Sequence, residues 1–251
     1  MELLVDIGNT SIKWATWDGE RLGVPGSAKH FGALPIDLLA AWDLSEDVNG
    51  IVVARVGPEA VLKGVADVAD ALWKSGLTMV ETSAESQGVR IAYAEPARLG
   101  VDRYLALIGA HHQQGGAKLI VDAGTAVTFD LLLADGTHIG GLILPGIAMM
   151  RDSLLAGTQI PCYEPIDADQ SWATDTAEAI AAASIQAPAA LAERLYQRLA
   201  DHTGQTPNLI ITGGDAERLL PALRPEAVHQ PALVLAGLCR FARSKAGANN
   251  K

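Results

Sequence analysis

Two aspartates each close an apolar run and are followed two residues later by glycine and then by small hydroxyl residues: Asp6-Ile7-Gly8-Asn9-Thr10-Ser11 and Asp122-Ala123-Gly124-Thr125. Glycine tolerates the dihedrals that aim consecutive backbone N–H groups inward as an anion nest, and the hydroxyls of Thr10, Ser11 and Thr125 add donors, so both turns suit phosphate. A carboxylate beside phosphate repels it, so Asp6 and Asp122 make sense there only with cations, most simply Mg²⁺ acting through water. Lys13 adds a positive charge that can follow charge developing on a transferred phosphoryl group. Taken singly, each Asp-x-Gly is an ordinary strand-ending turn, because Asp and Gly dominate turns. The repetition shifts the weight toward chemistry.

Two further segments carry candidate groups. In Tyr93-x-x-Pro96-x-x-Leu99-Gly100-Val101-Asp102-Arg103, Asp102 falls near the start of a helix. It either caps that helix or serves as the base that accepts a proton from an alcohol attacking a phosphate, with Arg103 gripping the acceptor. Thr212-Gly213-Gly214-Asp215 follows a buried-type strand, and its paired glycines let a flat ring lie against backbone. Neither a Walker loop nor a dinucleotide fingerprint follows any of these strands.

The elements that must position these groups show one design used twice. Residues 2–7 and 12–17 form a hairpin ending at Asp18-Gly19, and residues 118–123, 125–133 and 137–144 form a second meander that turns at Asp135-Gly136. Superposing Asp6 on Asp122 brings the Asp-Gly turns to within one residue of register, an internal duplication at domain scale. Strands at 51–56, 77–81 and 208–212 alternate with helices at 58–75, 103–113, 147–155, 174–185, 188–201 and 231–246. Two similar α/β lobes with mixed sheets and a cleft between them follow. The boundary is expected near Gly115-Gly116, giving lobes 1–115 and 116–251.

The chain has 251 residues, 49% of them hydrophobic, enough for a substantial core. Its 29 acidic and 19 basic side chains leave a formal charge of -10, which argues against nucleic acid and anionic membrane surfaces as partners. Acids in Met1-Glu2-Leu3-Leu4-Val5-Asp6 do not suit an export signal, and Cys162 and Cys239 lack metal-ligand neighbours. A cytoplasmic protein is expected. The five tryptophans are too scattered for a base-stacking platform and are assigned to packing.

Together, Asp6-Ile7-Gly8-Asn9-Thr10, Gly100-Val101-Asp102-Arg103, Asp122-Ala123-Gly124-Thr125-Ala126-Val127-Thr128-Phe129-Asp130, Gly140-Gly141 with Pro145-Gly146, and Thr212-Gly213-Gly214-Asp215 resemble the type III pantothenate kinases in order and spacing across almost the whole chain. The resemblance implies a duplicated actin-like (ribonuclease H-like) fold and a homodimer with the acceptor pocket near its interface. It implies ATP with Mg²⁺, held by Asp6, Ile7, Gly8, Asn9, Thr10, Ser11, Ile12, Lys13 and Thr125. Asp102 becomes the proton acceptor, Tyr93, Gly100, Val101, Asp102 and Arg103 contact pantothenate, and Asp122 binds a monovalent cation, potassium or ammonium. Thr176 looks like the family threonine that reaches the partner subunit's substrate, although Ala173 and Ala183 stand where the family often has glycine and Asp175 where asparagine is common. A kinase of the same fold for another small alcohol would keep the phosphate turns and change the segment from Tyr93 to Arg103. Relatives labelled accessory factors for virulence gene expression offer a regulatory alternative, against which Asp6, Asp102 and Asp122 argue.

Overall fold

A computed structural model of the protein describes residues 1–43, 48–113, 115–161 and 172–248. Cys162 and the stretch beyond it to 171 lie outside the described residues. The chain divides into two compact units, one of residues 1–113 together with the C-terminal segment from Ala232, the other of residues 114–231.

In the first unit, β1 (Glu2–Ile7), β2 (Ser11–Trp17) and β3 (Gly26–Lys29) form an antiparallel meander. After α1 (Ile36–Asp43), β4 (Gly50–Arg55) pairs parallel to β1; after α2 (Glu59–Trp73), β5 (Leu77–Met79) extends the sheet in the order β3-β2-β1-β4-β5. β1 is apolar on both faces because both are covered. Leu3, Val5 and Ile7 meet the Val61, Val65 and Ala69 stripe of α2, whose four-residue spacing sets one helical face on the sheet. Leu72, in the last turn of α2, is 40% exposed. β3, which has no counterpart among the expected strands, is a half-exposed edge strand, and its Gly26 leaves room for the Trp14 ring, 2.3 Å from where a Cβ would sit. A short hairpin of β6 (Glu85–Ser86) and β7 (Val89–Arg90) precedes α3 (Val101–His111).

The second unit repeats this plan. β8 (Lys118–Ala123), β9 (Ala126–Leu132) and β10 (His138–Pro145) form the meander, and α4 (Ile147–Ala156) and α5 (Thr176–Thr203) follow. β11 (Asn208–Thr212) then pairs parallel to β8, and after α6 (Ala216–Leu219) β12 (Val228–His229) completes the order β10-β9-β8-β11-β12. Strand order and direction match the first sheet throughout.

α5 replaces the two helices expected at 174–185 and 188–201. Pro188 sits inside it and removes the N–H that would bond the Ser184 carbonyl, a defect costing about 3 kcal/mol in an ordinary helix interior. Burial of Pro188, Ala189, Ala192, Leu195, Tyr196 and Leu199 along that stretch holds the helix together against the sheet.

The last helix, α7 (Leu233–Ala248), departs from the expected division into 1–115 and 116–251, because it belongs to the first unit. It packs on α3, β1 and β4, the sheet face opposite α2. A Cβ on Gly109 would come within 2.4 Å of the Leu233 carbonyl oxygen, and one on Gly237 within 2.2 Å of that of Leu105. The same Leu-x-x-x-Gly spacing on both helices thus brings the two backbones into contact at the crossing. No described helix is long and apolar enough to cross a membrane.

Candidate active site

Asp6 ends β1, 7% exposed, and stands directly opposite Lys13 on β2, so the carboxylate and the ammonium-bearing side chain share one face. Gly8 through Ser11 make the turn, closed by the Gly8 N–H donating to the Ser11 carbonyl at 2.9 Å; Asn9 and Thr10 are exposed at its tip. Behind it, the Val56 and Gly57 N–H groups both donate to the Ile7 carbonyl at 3.0 Å. A Cβ on Gly57 would lie 2.0 Å from the Gly8 carbonyl oxygen, so only glycine lets the end of β4 close on this turn.

Asp122 occupies the equivalent place on β8, opposite Thr128, and Gly124 donates to the Ala126 carbonyl at 2.9 Å. The Asp215 N–H donates to the Ala123 carbonyl at 2.8 Å, as Gly57 does to that of Ile7. Gly213, at φ +99°, presses on this turn: a Cβ there would meet the Ala123 carbonyl at 2.2 Å and the Asp122 carboxylate at 2.5 Å. Gly146 closes the other side, donating to the Thr125 carbonyl at 3.0 Å, with its Cβ position 2.3 Å from the Gly124 carbonyl. Gly146 and Gly213 are therefore the close-packing walls of the Asp122 turn, whereas Gly140 and Gly214 have open space where a Cβ would stand and Thr125 is exposed.

The Asp102 segment gathers in the first unit. Gly100, not Asp102, is the N-cap of α3; Asp102 lies in the first helical turn, where its Oδ1 accepts the Arg103 N–H at 2.8 Å. That position also meets the positive end of the helix dipole. Oδ1 lies 2.5 Å from where a Gly100 Cβ would be, and that same point is 3.7 Å from Val56 Cγ1. Val56 in turn donates its N–H to the Ile7 carbonyl at the Asp6 turn. Arg103 is 6% exposed and donates to the Tyr93 hydroxyl at 3.1 Å, its guanidinium 5.9 Å from the ring centre. Thr82 donates to the Leu99 carbonyl at 2.9 Å and Ser83 pairs with the Tyr104 hydroxyl at 2.8 Å, fixing this segment from the side. Neither residue stood out in the sequence, where isolated hydroxyls have no pattern.

Thr176 opens α5 in the second unit, exposed, behind the N-cap Asp175, which accepts the Ala177 N–H at 2.8 Å. Among the tryptophans, Trp14, Trp42 and Trp73 pack in edge and tilted pairs, whereas Trp172 is 86% exposed and does not fit the packing expectation. Cys239 is buried.

A twice-used five-stranded mixed sheet with an aspartate-glycine turn at the end of its first strand defines a duplicated actin-like fold. A solved structure from Campylobacter jejuni, described as a conserved Baf family transcriptional activator, shares it with a TM-score of 0.60 at 18% identity, covering 98% of this chain and 99% of that one. The activator of 2-hydroxyisocaproyl-CoA dehydratase from Clostridium difficile, with bound ADPNP, does so with a TM-score of 0.51 at 12% identity, over 99% and 96% of the two chains. The family model for type III pantothenate kinase matches residues 2–198. The type III pantothenate kinase of Nitrosococcus oceani is 38% identical over 97% of this chain and 94% of its own. The chain belongs to the type III pantothenate kinase family, phosphotransferases that phosphorylate pantothenate with ATP in coenzyme A biosynthesis.

Proposed function

We propose that Asp102 is the general base of this pantothenate kinase and that the Asp6 turn, through Asp6, Ile7, Gly8, Asn9, Thr10, Ser11, Ile12 and Lys13, receives the ATP phosphates. The observation that supports the reading is that a Cβ on Gly100 would meet both Asp102 Oδ1 and Val56, whose own N–H donates to the Ile7 carbonyl at the Asp6 turn. The pantothenate hydroxyl oxygen attacks the γ-phosphorus, the bond from that phosphorus to the bridging oxygen of ADP breaks, and the hydroxyl proton passes to the Asp102 carboxylate. Tyr93, Gly100, Val101 and Arg103 orient the acceptor, the buried guanidinium and the phenol already aligned by their mutual hydrogen bond. Thr125 carries the same kind of donor in the second unit.

Mg²⁺ carried on the nucleotide phosphates would be met by the Asp6 carboxylate through water. Bound there, it offsets charge on the β- and γ-phosphate oxygens. Asp122, seated against Gly213 at the second turn, is the proposed contact for potassium or ammonium, because its charge otherwise opposes phosphate. A homodimer is supported by the apolar surface of β10 and α4, where Leu142, Ile143, Met149 and Leu154 are all at least 41% exposed, and by the packing of α4 on α5, which begins at Thr176. Light scattering of the purified chain reads the mass, and an active monomer rejects the shared pocket. A cytoplasmic enzyme is the setting that fits this metabolism.

Asp102→Asn tests the base directly. Turnover should fall by about 10²–10⁴-fold with folding and ATP affinity nearly unchanged, because Asn accepts the Arg103 N–H but not the proton. Turnover of Asp102→Asn at the wild-type rate removes Asp102 from the mechanism.

A further inference from the structure

One buried imidazole lies against the Asp6 turn without belonging to any motif. His30 follows β3, is 5% exposed, and points its Nε2 at the Gly8 carbonyl at 2.9 Å. Its own backbone N–H donates to the Thr10 carbonyl at 3.0 Å. The Gly32 N–H stands 3.4 Å from Nδ1, the arrangement of a neutral ring that accepts at Nδ1 and donates from Nε2.

We propose that His30 is a positioning residue that aims the backbone donors of the first phosphate turn. In a trans peptide the C=O and N–H point in opposite directions across one plane. Drawing the Gly8 carbonyl to Nε2 therefore turns the Asn9 N–H away from His30, and drawing the Thr10 carbonyl to the His30 N–H does the same for the Ser11 N–H. Two donors of the nest are aimed to one side by one residue. Without the imidazole, the Gly8 carbonyl keeps its contact with Gly57 but loses its hydrogen-bond donor, and any turn of its oxygen toward the anion sets a lone pair against phosphate.

The second unit supplies an internal comparison. There the residue after β10, Gly146, donates its N–H to the Thr125 carbonyl at 3.0 Å, the counterpart of the bond from the His30 N–H to Thr10. No side chain is added on that side, because Gly146 lies against the Gly124 carbonyl, with its Cβ position only 2.3 Å away. Contact of backbone with backbone restrains that carbonyl. On the longer Asp6 turn the imidazole bridges the equivalent gap.

The proposal rests on the reading that the Asp6 turn holds the ATP phosphates, and the experiment separates the two. Binding of ATP, ADP and adenosine to the full chain is measured by calorimetry for the wild type, His30→Phe, His30→Gln, Gly8→Val and Lys13→Ala, with melting temperature as a check on folding. His30→Phe keeps ring volume and loses the donor, so its ATP affinity should fall about tenfold, the scale of one buried hydrogen bond, with adenosine affinity and the KM for pantothenate unchanged. His30→Gln, whose amide donates from a similar reach, should recover part of the loss. Wild-type ATP affinity in His30→Phe overturns the proposal, and so does an equal loss for adenosine and ATP, which signals general loosening. If His30→Phe does not fold, His30→Gln decides, because its amide N–H still donates to the Gly8 carbonyl and ATP affinity must exceed that of Gly8→Val. ATP affinity unaffected by Gly8→Val and Lys13→Ala together overturns the underlying reading of the turn instead.

Discussion

The two Asp-x-Gly turns sit at the same place on two sheets of the same strand order, yet they are built by different means. Ile7 pairs with Ile12 across the first turn and Ala123 with Val127 across the second, so the first is longer by one residue. The longer turn is braced by a side chain, His30, and by Gly57; the shorter is walled by Gly146 and Gly213, which touch its carbonyls directly. The strands behind them differ as well. Leu4 and Ile120 hold equivalent positions, and opposite them stand Ala15 in the first unit and Asp130 in the second. Asp130 is 2% exposed and bonded to the buried His138 at 3.0 Å. Duplication preserved the backbone plan, and the means of holding each turn diverged with local space.

Converting the second sheet toward the first gives the largest expected change in stability. Asp130→Ala leaves His138 buried without its carboxylate and should cost about 3–5 kcal/mol by chemical denaturation, the scale for breaking one side of a buried pair. Adding His138→Val should return most of that loss, because replacing both partners by apolar groups is close to neutral. If the double variant is as unstable as the single, the pair is not the source of the effect.

Gly213→Val attacks the wall of the second turn. The φ of +99° adds strain of about 1–2 kcal/mol, and contact with the Ala123 carbonyl and Asp122 adds about 1–3 kcal/mol more. Because Asp122 must move, stimulation of turnover by potassium over sodium should disappear in the fraction that remains folded. Retained stimulation separates Asp122 from the monovalent cation.

At the helix crossing, Gly109→Ala and Gly237→Ala press on each other's carbonyl partners in mirror fashion. Each should destabilise by about 1–3 kcal/mol, the usual range for overpacking, and by similar amounts, with melting temperature as the readout. A loss confined to one of them breaks the internal symmetry of α3 and α7.

The smallest effect concerns the outer turns. Asp18 accepts the Arg21 N–H at 2.7 Å and the Glu20 N–H at 2.8 Å, and Asp135 accepts that of Thr137 at 2.9 Å. The Arg21 and then the Glu20 N–H hold the Asp18 carboxyl below its ordinary 3.8. A depressed carboxylate contributes stability above the unfolded value and loses it as pH falls through the folded one. The difference between wild type and Asp18→Asn should therefore be present at neutral pH and vanish in acid below the ordinary carboxylate range. A difference independent of pH assigns it to the turn backbone rather than to charge.

Much of this was written in neighbouring residues. Asp-x-Gly after an apolar strand, the paired meanders, Gly-x-Asp-Arg at a helix start and the spacing among them are local patterns. They depend on turn geometry and strand period, which a sequence displays directly. By itself the sequence determined the duplicated strand plan, the two Asp-x-Gly turns and the resemblance to a kinase family. Tertiary structure alone decided that α7 returns to cover the first sheet, that α5 runs through Pro188, and that Gly146 and Gly213 wall one turn while His30 braces the other. Those contacts join residues far apart in the chain, and their strength lies in backbone atoms close enough to exclude a Cβ. No composition or period records such a distance until the sheets have formed.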